Sequence, residues 1–152
     1  MTAPVFVDCN IFLYGLDDAD CRKQLAARAW RSALWRMRLG RISFQVLHEF
    51  YVNAIRLAPS AKDQVRAEIR DRRAWQPLVI DAPVLELGWK LQDRYRLCDW
   101  DSLIVAAAKS ASCGYVLSED LLPGQKLDGI EVINPFLQPP DSLQEVTPPY
   151  LP

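Results

Sequence analysis

The chain has 152 residues, half of them apolar and 24% charged, enough for one domain to bury a core without disulfide or metal staples. Its net charge is −1, so bulk charge selects neither a nucleic acid nor an anionic surface as partner. Four cysteines without C-x-x-C spacing and one histidine argue against a zinc centre. No apolar run approaches the roughly 18 residues of a membrane span. No leader pattern opens the sequence, so a cytoplasmic location with reduced thiols is expected.

In chain order, Pro4, Val5, Phe6 and Val7 form a short apolar run ended by Asp8. Such a run without alternation suits a strand buried on both faces of a parallel sheet. Residues 9–15 predict a short helix closed by Gly15. Asp17, Asp18 and Asp20 predict an acidic start to a long helix over residues 21–39, with Ala26, Ala29, Trp30, Ala33, Leu34 and Met37 as its buried stripe. No acid occurs from Cys21 to His48, where Arg22, Lys23, Arg28, Arg31, Arg36, Arg38 and Arg41 fall. That basic helix either grips phosphates, docks an acidic partner or is simply a solvated face. Trp35 and Trp75 are the candidates for an exposed partner groove.

Residues 41–44 predict a second strand and residues 45–57 a helix, with Val46, Leu47, Phe50, Tyr51 and Ala54 inward. Pro59 breaks it, and Ser60 caps a helix running to about Trp75. Residues 77–80 predict a third strand. Asp81 then caps a helix over residues 83–95, with Pro83 near its tolerated first position. Trp100, Leu103, Ile104, Ala107, Ala108 and Ala111 recur at helical spacing and predict one buried apolar face, with Asp99 as the N-cap. Residues 115–117 and 130–133 predict the fourth and fifth strands.

Strands alternating with helices predict a three-layer α/β/α sandwich around a central, mostly parallel five-stranded sheet. Pro139, Pro140, Pro148, Pro149 and Pro152 crowd the end. Residues 1–137 are therefore expected as the domain, and residues 138–152 as a proline-rich, extended or disordered tail.

Four acids stand out against apolar surroundings: Asp8, Glu49, Asp101 and Asp120. Each falls at the C-terminal end of a predicted strand or in the first turns of a predicted helix. In an open parallel sheet those ends share one edge, where ligands bind. Carboxylates gathered there repel and raise one another's pKa, and a divalent cation relieves this. Oxygen ligands without His or Cys select Mg²⁺ or Mn²⁺. Singly, each acid has a plainer reading: Asp8 in a turn, Glu49 solvated and paired with Asn53 or Arg56, Asp120 at a loop start, Asp99 as a cap. His48 reads as a polar helix residue rather than a general base.

Val7-Asp8-x-Asn10, His48-Glu49-Phe50, the block from Trp100-Asp101-Ser102-Leu103 to Ala108, and Leu117-Ser118-Glu119-Asp120 together resemble the PIN-domain nucleases, in particular the VapC toxins of bacterial toxin–antitoxin pairs. The resemblance covers roughly residues 4–136. It implies a PIN-like fold and a metal-dependent endoribonuclease that takes Mg²⁺ or Mn²⁺ and is neutralised by a small antitoxin protein, often as a homodimer. It carries the catalytic roles to Asp8, Glu49, Asp101 and Asp120, the metal to Asp8, Asp101 and Asp120, and support to Asn10 and Ser118. Asp99 is an additional acid beside this set, and Cys98 stands where a hydroxyl residue is usual. A non-toxin RNA-processing nuclease of the same fold and a non-catalytic binding module are the alternatives. Asn10 argues against a phosphatase with an aspartyl nucleophile, since such enzymes of the haloacid-dehalogenase type carry a second Asp at that spacing.

Overall fold

A computed structural model describes residues 3–143. Strand β1 (Val5–Val7) leads into helix α1 (Cys9–Leu16), then α2 (Cys21–Met37) and β2 (Gly40–Arg41). Three helices follow, α3 (Phe44–Leu57), α4 (Lys62–Asp71) and α5 (Ala82–Tyr95), and then α6 (Asp99–Ser110). Strands β3 (Tyr115–Leu117), β4 (Lys126–Leu127) and β5 (Ile130–Ile133) complete one sheet in the order β2-β1-β3-β5-β4. Only the β4–β5 pair is antiparallel. This is the expected α/β architecture. None of its described helices is long and apolar enough to cross a membrane.

The core is built where the sequence is most apolar. Val5, Phe6 and Val7 are fully buried, because helices cover both faces of a parallel sheet. Helix α6 packs against β1, β3 and β5 and pairs with α5. Gly88 of α5 lies against Leu103 and Ala106, so the small residues of α6 let two helices approach closely. Helix α1 packs on α2 and α3. Phe12 meets Phe50 edge-on with ring centroids 5.5 Å apart, a favourable aromatic geometry.

Several boundaries differ from the sequence expectation. Residues 77–80 do not form a strand: Leu78 makes one isolated bridge to Ser43. Strand β2 is only two residues long and Ser43 already turns the chain into α3, its hydroxyl capping Val46 N–H, so no ladder remains for residues 77–80 to extend. The fifth strand position is filled instead by β4, closed onto β5 by Asp128 and Gly129 at φ 52° and 88°. Asp-Gly at two positive φ values makes a two-residue hairpin turn. Trp75 is buried rather than exposed, although one edge of it lines a pocket together with Trp35, Arg38 and Arg41. Its ring lies where a Cβ on Gly40 would sit, 2.5 Å away, so only glycine fits there.

The stripe of α2 consists of Gln24, Ala27, Trp30, Ala33 and Leu34; Ala27 takes the place expected for Ala26, and Ala29 is exposed. Trp100 is 61% exposed. Its helix turns Ser102, Ile104, Val105, Ala106, Ala107 and Ala108 inward, while Trp100 lines an open cleft with Leu85 and Trp89 of α5. The start of the expected tail is folded: Pro140–Leu143 form a 3-10 turn with Leu143 buried. Trp30 Nε1 donates to the carbonyls of Pro135 and Gln138, which fixes the approach to that turn. Residues 144–152, the remainder of the expected tail, lie outside the described residues.

Candidate functional site

Asp8 is placed by the sheet. Val7 is in register with Leu117, and Asp8 N–H donates to Leu117 O at 3.1 Å. Strands β2 and β3 flank β1 on opposite sides, so Asp8 stands where the strand order reverses, the usual crevice of an open α/β sheet. Its carboxylate N-caps α1, accepting from Cys9 N–H at 2.7 Å, and accepts from the Ser118 hydroxyl at 3.0 Å. Only 7% of Asp8 is exposed. Burial pushes its pKa up to about 6 against the two hydrogen bonds, and the charges of Asp120 and Glu49 push the same way.

Ser118 joins two acids. It donates to Asp8 Oδ2 and accepts from Asp120 N–H at 3.2 Å. Asn10 Nδ2 donates to Asp120 Oδ2 at 3.3 Å. Burial raises the Asp120 pKa, and Asp101 raises it further ahead of Glu119. Asp101 sits in the first turn of α6, half-buried. Glu49, on α3, accepts from Gln45 Nε2 at 3.0 Å. Its carboxylate, that of Asp8 and the Cys9 sulfur have one potential ligand atom each within 4.8 Å of one another. The tightest grouping is therefore Asp8, Cys9 and Glu49. Asp120 adjoins it through Ser118, and Asp101 adjoins Asp120.

Other residues fall outside this arrangement. Asp99 is exposed and is not the N-cap of α6; Cys98 holds that position without a side-chain bond. The Asp99 carboxylate instead accepts from Gln92 Nε2 of α5. His48 is exposed on α3, on a different face from the buried Val46, Leu47 and Phe50. Glu49 is not paired with Arg56; Asn53 bonds its backbone carbonyl instead.

Cys9 is the member that sequence reading passed over, because nothing in spacing alone aims its sulfur at Glu49. Burial first, then the Asp8 and Glu49 charges, push the Cys9 pKa up, so it stays a thiol. Glu119 turns to Lys23 of α2 at 2.8 Å and leaves the acids unneutralised. Among the described residues, no ion pair reaches Asp8, Glu49, Asp101 or Asp120.

The donor set fits a hard divalent cation. It supplies carboxylate oxygens from four separate segments, at Asp8, Glu49, Asp101 and Asp120, and includes no imidazole. One buried oxygen, Asn10 Oδ1, has no hydrogen-bond partner among the described residues, and a buried acceptor left unmatched marks a place for a ligand.

The PIN domain family matches residues 5–121 of the chain, which therefore belongs to that family. A search of curated protein sequences gives no match. The chain is similar in fold to a toxin–antitoxin complex from Klebsiella pneumoniae at 19% identity and TM-score 0.63, covering 86% of this chain and 97% of that one. It is similar to FitAcB from Neisseria gonorrhoeae at 18% identity and TM-score 0.64, covering 87% and 98%. A third likeness is to Mycobacterium tuberculosis VapC20, described as a sarcin–ricin loop cleaving toxin, at 19% identity and TM-score 0.60, covering 76% and 91%.

Proposed function

We propose that this protein is a divalent-metal-dependent endoribonuclease acting in the cytoplasm as the toxin of a toxin–antitoxin pair. The carrying observation is Asp8: a buried carboxylate raised to about 6, with Glu49 and Asp120 nearby and, among the described residues, no cation bonded to it. Such a site gains most from a bound ion. Asp8, Asp101 and Asp120 would hold Mg²⁺ or Mn²⁺, which supplies neutralisation of the phosphodiester and activation of the attacking water.

The chain's own residues have separable tasks. Ser118 and the Cys9 N–H fix the Asp8 carboxylate in one rotamer. Asn10 holds Asp120 in place. Glu49, steadied by Gln45, orients the attacking water and receives its proton. Attack by external water rather than by the ribose 2′-OH leaves a 5′-phosphate and a 3′-hydroxyl. An antitoxin partner is supported by the Klebsiella neighbour, which is a toxin–antitoxin complex. Pairing of two copies is supported by the family resemblance and by an open apolar cleft of about 820 Å³ between α5 and α6, walled by Trp89 and Trp100.

The test is cleavage of labelled RNA with Mn²⁺, with Mg²⁺ and with chelator, and analysis of the product ends. Metal-dependent cutting with 5′-phosphate ends is expected. Cutting that survives chelation, or cyclic phosphate ends, would overturn the mechanism. Growth on expression alone, with soluble intact protein, would overturn the toxin role while leaving the nuclease standing.

A further inference from the structure

The acidic edge lies at the N-terminal end of α1. At its other end the balance of charge inverts. Arg31 of α2 and Arg72, just beyond α4, both pair with the single carboxylate of Glu68. Arg72 is only 9% exposed, and its Cζ lies 4.7 Å from the Trp75 ring centre and 5.1 Å from that of Trp35. Arg31 stacks over Phe12 at 5.0 Å. Two guanidinium groups thus share one negative charge, and Arg31 Nε with Arg72 Nε and Nη1 are buried donors without acceptors among the described residues. Burial, and then Arg72 and Arg28, pull the Arg31 pKa down to about 10.

These residues line an open cleft of about 570 Å³ between α2 and α4, with Arg28, Trp35 and Arg36 around it. Arg28, Trp35 and Arg36 are exposed. Arg28 Nε also bonds Gly15 O at 3.0 Å, which ties the cleft to the C-terminal end of α1. That end is about 12 Å from the helix start at Cys9, from eight residues at 1.5 Å each. Helix α2 itself begins beside the acids, where Lys23 meets Glu119. The acids and the cleft thus share two elements, α1 and α2.

Excess guanidinium charge beside an exposed indole is the chemistry that holds single-stranded nucleic acid: Arg forks take phosphate oxygens and Trp stacks a base. We propose that this cleft binds a phosphate of the substrate RNA on one side of the scissile bond, with Arg28 and Arg36 contacting it, Trp35 stacking the neighbouring base, and the Arg31–Arg72 pair supplying the underlying positive field. This rests on the ribonuclease reading above and adds to it where the strand runs.

The test uses the whole chain in chelator, so that binding is read without cleavage. The probe is a short single-stranded RNA of mixed sequence, titrated at several salt concentrations. Arg28→Gln with Arg36→Gln should weaken binding about fivefold or more and lower the salt slope by about 0.7 for each phosphate no longer neutralised. Arg28→Lys with Arg36→Lys should recover most of the affinity, as a merely structural role would not allow. Lys90→Gln, on the exposed side of α5, should change nothing.

Wild-type affinity and slope in the double Gln variant would overturn the proposal. So would a glutamate-rich peptide that binds wild type as tightly as the RNA does and is released by the same variant, since the cleft would then dock an acidic protein segment. Cleavage by the wild type with Mn²⁺ is scored separately. If it fails while the Gln variant still binds RNA more weakly, the ribonuclease reading falls and the cleft stands.

Discussion

The two ends of α1 make opposite electrostatic errors. At the start, Asp8, Glu49, Asp120 and Asp101 gather, and among the described residues no cation bonds to them. At the finish, Arg31 and Arg72 share Glu68, with Arg28 beside them. Each end alone is a cost to folding, since buried charge of one sign raises free energy unless something answers it. The errors are nonetheless held differently. The acids are fixed by neutral donors, Ser118, Asn10 and a backbone N–H, which orient without discharging. The guanidinium groups are fixed by aromatic faces, which accept positive charge but leave N–H donors unmatched. On the readings proposed above, the first arrangement would take a small hard cation and the second an extended anion.

The largest expected effect comes from the acidic end. Asp101→Asn should lower RNA cleavage by more than about 100-fold, since even residues behind a metal ligand typically cost 10–100-fold. Asn retains the size and the first-turn position, so the fold should persist by circular dichroism. Near-wild-type cleavage would remove Asp101 from the site.

Next in size, Glu68→Gln at the basic end should destabilise the protein by about 2 kcal/mol in urea unfolding, because two largely buried guanidinium groups lose their shared counter-charge. Glu68 is partly exposed, which keeps the figure below that of a fully buried pair. An unchanged midpoint would mean the aromatic faces alone hold both charges.

At Asp8 the expected change is about 1–3 kcal/mol, and its sign depends on pH. The folded carboxyl titrates near 6 and the unfolded one near 3.8, so the folded state holds its proton more tightly. This group's contribution is therefore most favourable below about pH 4 and is lost as pH rises towards 6. Denaturation in chelator at pH values across that interval should show stability falling with pH in wild type and a flatter profile in Asp8→Asn. Saturating Mn²⁺ should restore the wild type at pH 7 and help the variant less. A wild-type profile that is level across the same interval would refute this account.

The smallest effect belongs to the neighbouring acid. Asp99→Asn can still accept from Gln92, so its stability should move by no more than about 0.5 kcal/mol, and most cleavage should remain. Loss of cleavage there, with Asp101→Asn active, would shift the site by two residues along α6.

Much of this contrast was legible in the sequence, but unevenly. Asp8 and Asp120 were readable because each follows a run of β-forming residues, and parallel strands end at one edge; Ser118 entered only through the resemblance. Glu49 was readable from its place in the first turns of a helix after a strand, but only weakly, since a helix places an acid on any face. Cys9 was not, because the direction of one side chain beside Glu49 is a tertiary fact. The Arg72–Glu68–Arg31 arrangement was equally hidden: its members come from separate stretches of chain, and basic residues on α2 look the same whether solvated or stacked. The apolar periodicity of α6 misplaced Trp100 because periodicity does not say which side chains a neighbouring element covers. Residues 77–80 failed as a strand because a strand needs a partner of matching length. The β4 hairpin was missed because a two-residue strand is too brief to register as an apolar run.

Both margins of the sheet, β2 and β4, are two-residue strands, and beside β4 the turn carries Asp128, paired with Lys109 and Arg94. Few unpaired backbone groups are left there to recruit a strand from a neighbour. Copies crowded together would therefore have little backbone at those margins with which to zip into a continuous ribbon.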